Sequence, residues 1–361
     1  MKKTGPDIII SSNELSKLTS DPIASAKAVK LVYVSSAMEG ITRTKNGKGF
    51  IYLFRSKRIN DKKTLERIRS LVLPPAWKDV WICTLENGHL QATGKDAMDR
   101  KQYRYHPMWN ECRNMTKFFR LIELGNALPK IREQVRTDLA LPGLPRQKVL
   151  ATVISLMERT GIRIGSEFYK KLYGSFGLTT LKDDHVDIKS GVIKFCFRGK
   201  KGVEHELSLR SKKLARIVQH CKDIPGKELF QYIDEEGKRQ SIDSGMVNEY
   251  IQEIAASEFT AKDLRTWCGS VAGLVALKEA GSFADEKEAK RKVVEALDKV
   301  SEQLGNSRTI CKKYYVHPTL TELYESGKLE KWIAKLQRAK RSFKNGLLPE
   351  EKVLMEILKK G

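Results

Sequence analysis

The sequence is poor in the residues that hold metals or staple secreted chains. Its six cysteines, Cys83, Cys112, Cys196, Cys221, Cys268 and Cys311, lie far apart with no CxxC pair. Neither a zinc ribbon nor a disulfide framework is written in them, and reduced thiols in a cytoplasm are the expectation. The six histidines never fall at metal-ligand spacing, and the carboxylates form no cluster of the kind a metal-dependent nuclease needs. No stretch has the length or apolarity of a membrane span, and the first five residues do not lead into a signal-peptide core. Internal repeats are absent too, so solenoid architectures drop out.

What is present is positive charge. Among 361 residues, 67 are Lys or Arg against 44 Asp or Glu, a net charge of +23, and the surplus is spread along the chain. A spread surplus suits a long polyanion such as nucleic acid, whose phosphates reward many cation contacts. The length favours two domains over one, and 40% hydrophobic residues supply material for real cores.

The fold class expected is α+β. Residues 1–26 are polar and irregular and read as a loose arm. An antiparallel β-rich domain over 27–107 follows: Asn46-Gly47 and Asn87-Gly88 are hairpin signals between β-rich runs, and a short helix over about 63–71 ends before Pro74-Pro75. From 108 to 326 the pattern is mostly helical. Two helices are expected over 108–124 and 127–141, then a single one over 147–173, weakened by Gly161 and Gly165, whose backbone is free to approach something closely. Between 186 and 209 the period switches to two, which predicts a three-stranded antiparallel sheet inserted among helices. Thr260 and Asp263 stand at capping-box spacing. The tail, 327–361, reads as basic amphipathic helix.

Chemistry enters at residues 304–318, LGNSRTICKKYYVHP. Gly305 reads as a helix stop, Asn306 or Ser307 as the next N-cap and Pro318 as the end of that helix. Two tyrosines there sit inside a run of cations, and such a tyrosine can attack a phosphodiester; a basic helix with two packing aromatics carries the same pattern. Upstream stand Arg163 in GIRIG, Lys200 in FRGKKG at a hairpin tip, and Arg265 in TAKDLRTW. In QATGKDAMDRKQYRYHP, Gln91, Lys95, Lys101, Gln102, Tyr103 and Tyr105 set cations beside rings and amides able to touch phosphates, sugars or base edges.

In this order these segments resemble the type IB DNA topoisomerases, specifically the small poxvirus-like enzymes found in bacteria. GITRTKNGKGF, LPPAWKDVWIC, GSFGLTTLKDDHV, FRGKKGVEHEL, ELFQY, FTAKDLRTW and the LGN to YVHP segment all look like that family. The resemblance implies two catalytic arginines at Arg163 and Arg265, the catalytic lysine at Lys200, and Asn306 in the place held by histidine in the poxvirus branch. The nucleophile nine residues on is Tyr315, not Tyr314. Tyr169 joins the residues named above as a DNA contact. It further implies relaxation of duplex DNA through a 3′-phosphotyrosyl intermediate, with no ATP, metal or other cofactor, by a monomer that clamps double-stranded DNA without an obligate protein partner or membrane, in the cytoplasm at the nucleoid. Guanidiniums match the charge that builds on two non-bridging oxygens, and a lysine with its pKa lowered by neighbouring arginines can protonate the leaving 5′ oxygen.

Three departures stand out. Asn306 donates a hydrogen bond but cannot titrate, Ser307-Arg308 replaces the usual Thr-Pro with an added cation, and Ser166 replaces a basic residue of the poxvirus branch. Two other classes fit part of the pattern. A tyrosine recombinase shares the nucleophile and arginines, but Lys262 stands where its H-x-x-R histidine belongs, and its N-terminal half is helical. A non-catalytic basic DNA-binding protein would bind without forming a covalent adduct.

Overall fold

The structure is a computed structural model that describes residues 21–47, 49–97, 99, 101–226, 228–339 and 346–360. Contacts divide the chain into two compact units, residues 1–120 and 121–361. Of the expected N-terminal arm, residues 1–20 lie outside the described residues. The remainder forms part of helix α1 (Pro22–Ala28), because the Asp21 carboxylate caps the Ile23 and Ala24 amides at 2.8 and 3.1 Å.

The first unit is built on a six-stranded antiparallel sheet ordered β3-β2-β1-β4-β5-β6. Its strands are β1 (Ile41–Asn46), β2 (Gly49–Phe54), β3 (Lys57–Arg58), β4 (Lys78–Ile82), β5 (Leu90–Lys95) and β6 (Lys101–Tyr105), with helix α2 (Lys62–Ser70) between β3 and β4. The Asn-Gly signal is used as expected: Asn46 pairs with Gly49, and Gly47 turns the chain at φ +56°. Ile41, Val80, Ile82 and Ala92 of the sheet close on Ile68 of α2 as one core. A second cluster joins Ala26, Val29 and Leu31 to Trp109 and Cys112 at the start of helix α3 (Pro107–Asp138).

Two helices were expected where α3 runs unbroken, with Pro129 inside it. A proline in a helix interior costs about 3 kcal/mol. Leu121, Leu124, Leu128, Ile131 and Val135 continue one buried stripe across the proline. At roughly 1.5–3 kcal/mol per buried side chain, that stripe outweighs the lost hydrogen bond.

The second unit, 121–361, gathers around α4 (Arg146–Thr160), in which every residue from Val149 to Met157 is buried. In chain order follow α5 (Glu167–Tyr173), strands β7 (Val186–Lys189), β8 (Val192–Arg198) and β9 (Glu204–Arg210), then α6 (Lys212–Lys222), β10 (Gln231–Ile233), β11 (Arg239–Ser241) and α7 (Ser244–Ala255). Then come α8 (Ala261–Ala280), α9 (Glu286–Leu304), α10 (Arg308–Tyr314), α11 (Pro318–Glu325), α12 (Glu330–Arg338) and α13 (Pro349–Lys360). Strands β7, β8 and β9 form the small antiparallel sheet that period-two patterning predicts, so the class is α+β.

The single helix expected over 147–173 is corrected. Gly161 turns left-handed at φ 68°, ends α4, and leaves residues 162–166 irregular before α5 starts. The Lys-rich tail packs one face of its last helix into the fold. In α13, Val353, Leu354, Met355 and Ile357 are buried together with Glu351. The Glu351 carboxylate receives both guanidinium arms of Arg132 at 2.7 Å, Trp267 Nε1 at 2.9 Å and the Leu348 amide at 2.8 Å. Arg132 also pairs with Glu158 of α4 at 2.9 Å. One partly buried network thus joins α3, α4, α8 and α13.

Candidate active site

Arg163 stands in the irregular turn after α4, and backbone contacts fix that turn. Its carbonyl accepts from the Leu178 amide at 2.9 Å, and the Ile164 carbonyl from the Thr179 amide at 2.7 Å. The approach demands glycine: a Cβ on Gly177 would lie 2.6 Å from the Arg163 carbonyl oxygen and from the Gly165 backbone. This is the close approach foreseen at GIRIG. The Arg163 side chain donates through Nη2 to the Gly305 carbonyl at 3.0 Å and to Asn306 Oδ1. Burial, then the Arg265 charge, pull its pKa down to about 10, which leaves it a cation at neutral pH.

Arg265 lies early in α8, whose start is locked by Asp263 accepting from the Thr260 amide and hydroxyl at 2.9 and 2.8 Å. The arginine is only 4% exposed. Nη2 donates to the Leu304 carbonyl at 3.1 Å, but Nε and Nη1 are buried with no hydrogen-bond partner among the described residues. Over this guanidinium lies the Tyr315 ring, its centroid 5.3 Å from Cζ. Buried donors of this kind are nearly always paired, so Arg265 is poised for an acceptor that the described residues do not supply.

The turn that carries Asn306 is set by Gly305, left-handed at φ 58° after α9, and by Ser307, whose hydroxyl caps the Ile310 amide at 3.4 Å. Helix α10 stops at Tyr314, four residues before Pro318, which opens α11 instead of ending the helix before it. Tyr315 is the C-cap, outside helical geometry at φ −128°, ψ −35°. Its backbone is seated on α8 one turn beyond Arg265. Ser270 Oγ donates to the Tyr315 carbonyl at 2.9 Å and accepts from the His317 amide at 3.1 Å. A Cβ on Gly269 would stand 2.8 Å from the Tyr315 Cβ. Both tyrosines are half-buried; it is Tyr315 that faces Arg265, whereas Tyr314 has Lys313 Nζ 5.4 Å from its ring. The added cation at Arg308 is accounted for: it grips Asp298 of α9 through two hydrogen bonds of 2.6 and 2.8 Å.

Arg163, Arg265, Asn306 and Tyr315 are therefore brought together. Lys200 is at the tip of the β8–β9 hairpin, exposed, with Nζ 5.7 Å from the Tyr169 ring. Tyr169, 39% exposed, stacks at 6.1 Å on Tyr173. Two residues beside this group escaped sequence reasoning, Ser270 and His205. The inward phase of EHELSL marks His205; nothing local marks Ser270. Among the described residues no group of three or more His, Cys, Asp or Glu could hold a metal ion.

In the first unit, the candidates for DNA contact differ in availability. Tyr103 is exposed and stacked at 5.9 Å on half-buried Tyr105. Lys101 is exposed and donates to Ser36 Oγ at 2.6 Å. The Gln102 amide donates to Asp96 at 2.9 Å, and Lys95 pairs with Asp79 and Asp99 at 3.0 and 3.5 Å. Gln91 was expected at a DNA surface and is instead 3% exposed. Its amide nitrogen serves the Leu85, Glu86 and Gly88 carbonyls, and its oxygen takes Arg67 Nη1 at 2.9 Å, so the β4–β5 turn consumes it.

Matches to known proteins cover most of the chain. The family model described as the catalytic core of eukaryotic DNA topoisomerase I matches residues 106–343, and that of the bacterial DNA topoisomerase IB N-terminal domain matches residues 49–96. A DNA topoisomerase 1B of Acanthamoeba polyphaga mimivirus is 32% identical over 80% of this chain and 88% of its own length. The DNA topoisomerase 1B of vaccinia virus (strain Copenhagen) is 24% identical over 64% of this chain and 71% of its own. With its second unit matched almost throughout by the core model and a relative of that identity along most of its length, the chain belongs to the type IB DNA topoisomerases.

Proposed function

We propose that the chain relaxes supercoiled duplex DNA by cutting one strand, letting it rotate and resealing it. The observation that carries this is the buried face of Arg265 beneath the Tyr315 ring, which has no hydrogen-bond partner among the described residues. On DNA binding the phenol leaves that face, a non-bridging phosphate oxygen takes its place, and Nε and Nη1 gain their acceptor. Arg163 binds the second non-bridging oxygen. The Asn306 oxygen holds Arg163, and its amide nitrogen donates to the phosphate.

Tyr315 Oη then forms a bond to phosphorus as the bond to the 5′ oxygen breaks. The phenol proton passes to solvent, and Lys200 supplies the proton that the leaving 5′ oxygen takes up. The product, a 3′-phosphotyrosyl ester, keeps the energy of the broken bond, so attack by the 5′ hydroxyl reseals the strand. No step of this scheme draws on ATP or a metal. The β-rich region 27–107 serves as a DNA clamp through Lys101, Gln102, Tyr103 and Tyr105, with Lys95 joining once its carboxylates release it; the catalytic region spans 108–326, where Tyr169 adds a contact. The protein acts as a monomer in the cytoplasm, on nucleoid DNA.

The test is relaxation of supercoiled plasmid in EDTA without ATP, together with a denaturing gel after incubation with a nicked suicide duplex. Relaxation and a covalent adduct mapping to Tyr315 are expected, with both lost in Tyr315→Phe and kept in Tyr314→Phe. A protein that binds the duplex without an adduct, or an adduct that survives Tyr315→Phe, refutes the scheme.

A further inference from the structure

His205, the second residue of β9, is 8% exposed and plays no part in the steps above. Its ring stacks on Phe197 of β8, centroids 4.9 Å apart and planes 12° from parallel. Two glycines press on it. A Cβ on Gly199 would fall 2.6 Å from its Cδ2 and Nε2, and one on Gly305 would fall 2.1 Å from its Cε1. No side chain fits at either position while the imidazole is there. Gly199 immediately precedes Lys200, and Gly305 immediately precedes Asn306. The ring is thus the wedge at which the lysine hairpin meets the turn carrying Asn306 and, through Arg163, the phosphate site.

The hairpin needs such a wedge. Beyond the Arg198–Glu204 pair the tip leaves the sheet, Lys201 takes a left-handed φ of 64°, and the Lys200 side chain is exposed. An exposed lysine on a loop tip reaches a leaving oxygen reproducibly only if the base of the loop is fixed, and a misplacement of about 1 Å costs on the order of 10²-fold in rate. The imidazole also stays neutral in this setting. Burial first, then the charges of Arg163 and Arg265, hold its pKa below the ordinary histidine value, so it adds no third cation to the arginine pair.

We infer that His205 is a positioning residue for the cleavage step, wedged between Gly199 and Gly305 so that Lys200 is held over the leaving 5′ oxygen. This rests on the assignment of Lys200 as proton donor, and the experiment separates the two. Single-turnover cleavage is measured on a suicide duplex with the ordinary phosphodiester and on one whose leaving 5′ oxygen is replaced by sulfur. A thiolate leaves without a proton, so only defects in proton donation are relieved by sulfur.

Lys200→Ala is expected to slow cleavage of the oxygen substrate about 10²-fold or more and to approach the wild-type rate with sulfur. His205→Ala and His205→Gln are expected to slow the oxygen substrate about 10-fold to 10²-fold and likewise to recover with sulfur, to within about threefold of wild type. Two variants of different size are used, with thermal melts alongside, so that a folding failure in one does not decide the matter. Equal slowing on both substrates means that the ring merely supports the site as a whole and overturns the inference, as does no slowing on either. If Lys200→Ala is not relieved by sulfur, the donor assignment itself falls and the inference falls with it.

Discussion

Arg265 concentrates the tension between stability and function in one side chain. It is buried, it carries charge, and two of its nitrogens have no acceptor among the described residues. Each such group costs about 1–3 kcal/mol relative to a paired one. The stack of Tyr315 on the guanidinium returns only part of that, about 0.5–2 kcal/mol for a cation over an aromatic ring. A site selected for stability alone would hold an apolar side chain of similar length. Arg265→Met is therefore expected to raise the unfolding free energy by about 1 kcal/mol, measured by chemical denaturation, while cutting the rate of covalent adduct formation by about 10³-fold or more. A variant that loses both stability and activity would mean that the arginine is a structural cation whose partners lie in the fold. Arg132 supplies the contrast: it is half-buried, and Glu158 and Glu351 answer its charge.

At the scale of elements, that answer explains what α13 does. The helix belongs to a tail whose pattern suits DNA grip, solvation or packing, and it packs: it plants Glu351 against Arg132 and Trp267, and Trp267 is two residues past Arg265 on α8. Removing the carboxylate leaves Arg132 half-answered and the indole N–H without its acceptor. Glu351→Ala is expected to lower stability by about 3–5 kcal/mol, read as a shift of the denaturation midpoint. Glu351→Gln, which still accepts from the indole, is expected to lose roughly half as much. Equal midpoints for wild type and Glu351→Ala would show that α13 is a dispensable appendage.

None of this network is legible in the sequence, because Arg132 and Glu351 stand 219 residues apart and each looks like an ordinary surface charge. What is legible is whatever short-range chemistry fixes. The Asn46-Gly47 hairpin, the Thr260–Asp263 cap, the period-two strands after 186 and the Gly305 stop are all found. The passage through Pro129 is not, since a buried stripe overrides the local penalty. Arg163 was expected on a helix and stands in a turn, because two glycines at φ 68° and 101° end the helical path. Gln91 illustrates the same limit at the site: its residue type suits base contacts, and only three-dimensional placement reveals that the hairpin has taken its amide.

For the whole molecule the deciding quantity is the charge of +23. Each phosphate neutralised by Lys or Arg releases condensed counterions, so the logarithm of the DNA binding constant falls with the logarithm of salt at a slope of about −0.9 per contact. A chain that engages six phosphates is expected to bind a duplex about 10³-fold more weakly at 200 mM than at 50 mM salt. The chemical step inside the bound complex responds differently. Cleavage and resealing exchange one phosphoester for another with the same arginines in place, and no counterion is taken up or released as the tyrosine replaces the 5′ oxygen. The covalent fraction at saturating protein is therefore expected to stay level across that salt range while the dissociation constant climbs. Lys101 and Lys95 sharpen the expectation. Lys101 is held by a neutral hydroxyl and is free to exchange it for a phosphate, so Lys101→Ala should make the salt slope shallower by about 0.9. Lys95 begins between Asp79 and Asp99, so a phosphate must compete with two carboxylates, and Lys95→Ala should make the slope shallower by less than Lys101→Ala does. Titrations of a fluorescent duplex at four salt concentrations, with denaturing gels on the same mixtures, measure both quantities together; a covalent fraction that falls in step with affinity would place salt-sensitive contacts in the chemical step itself.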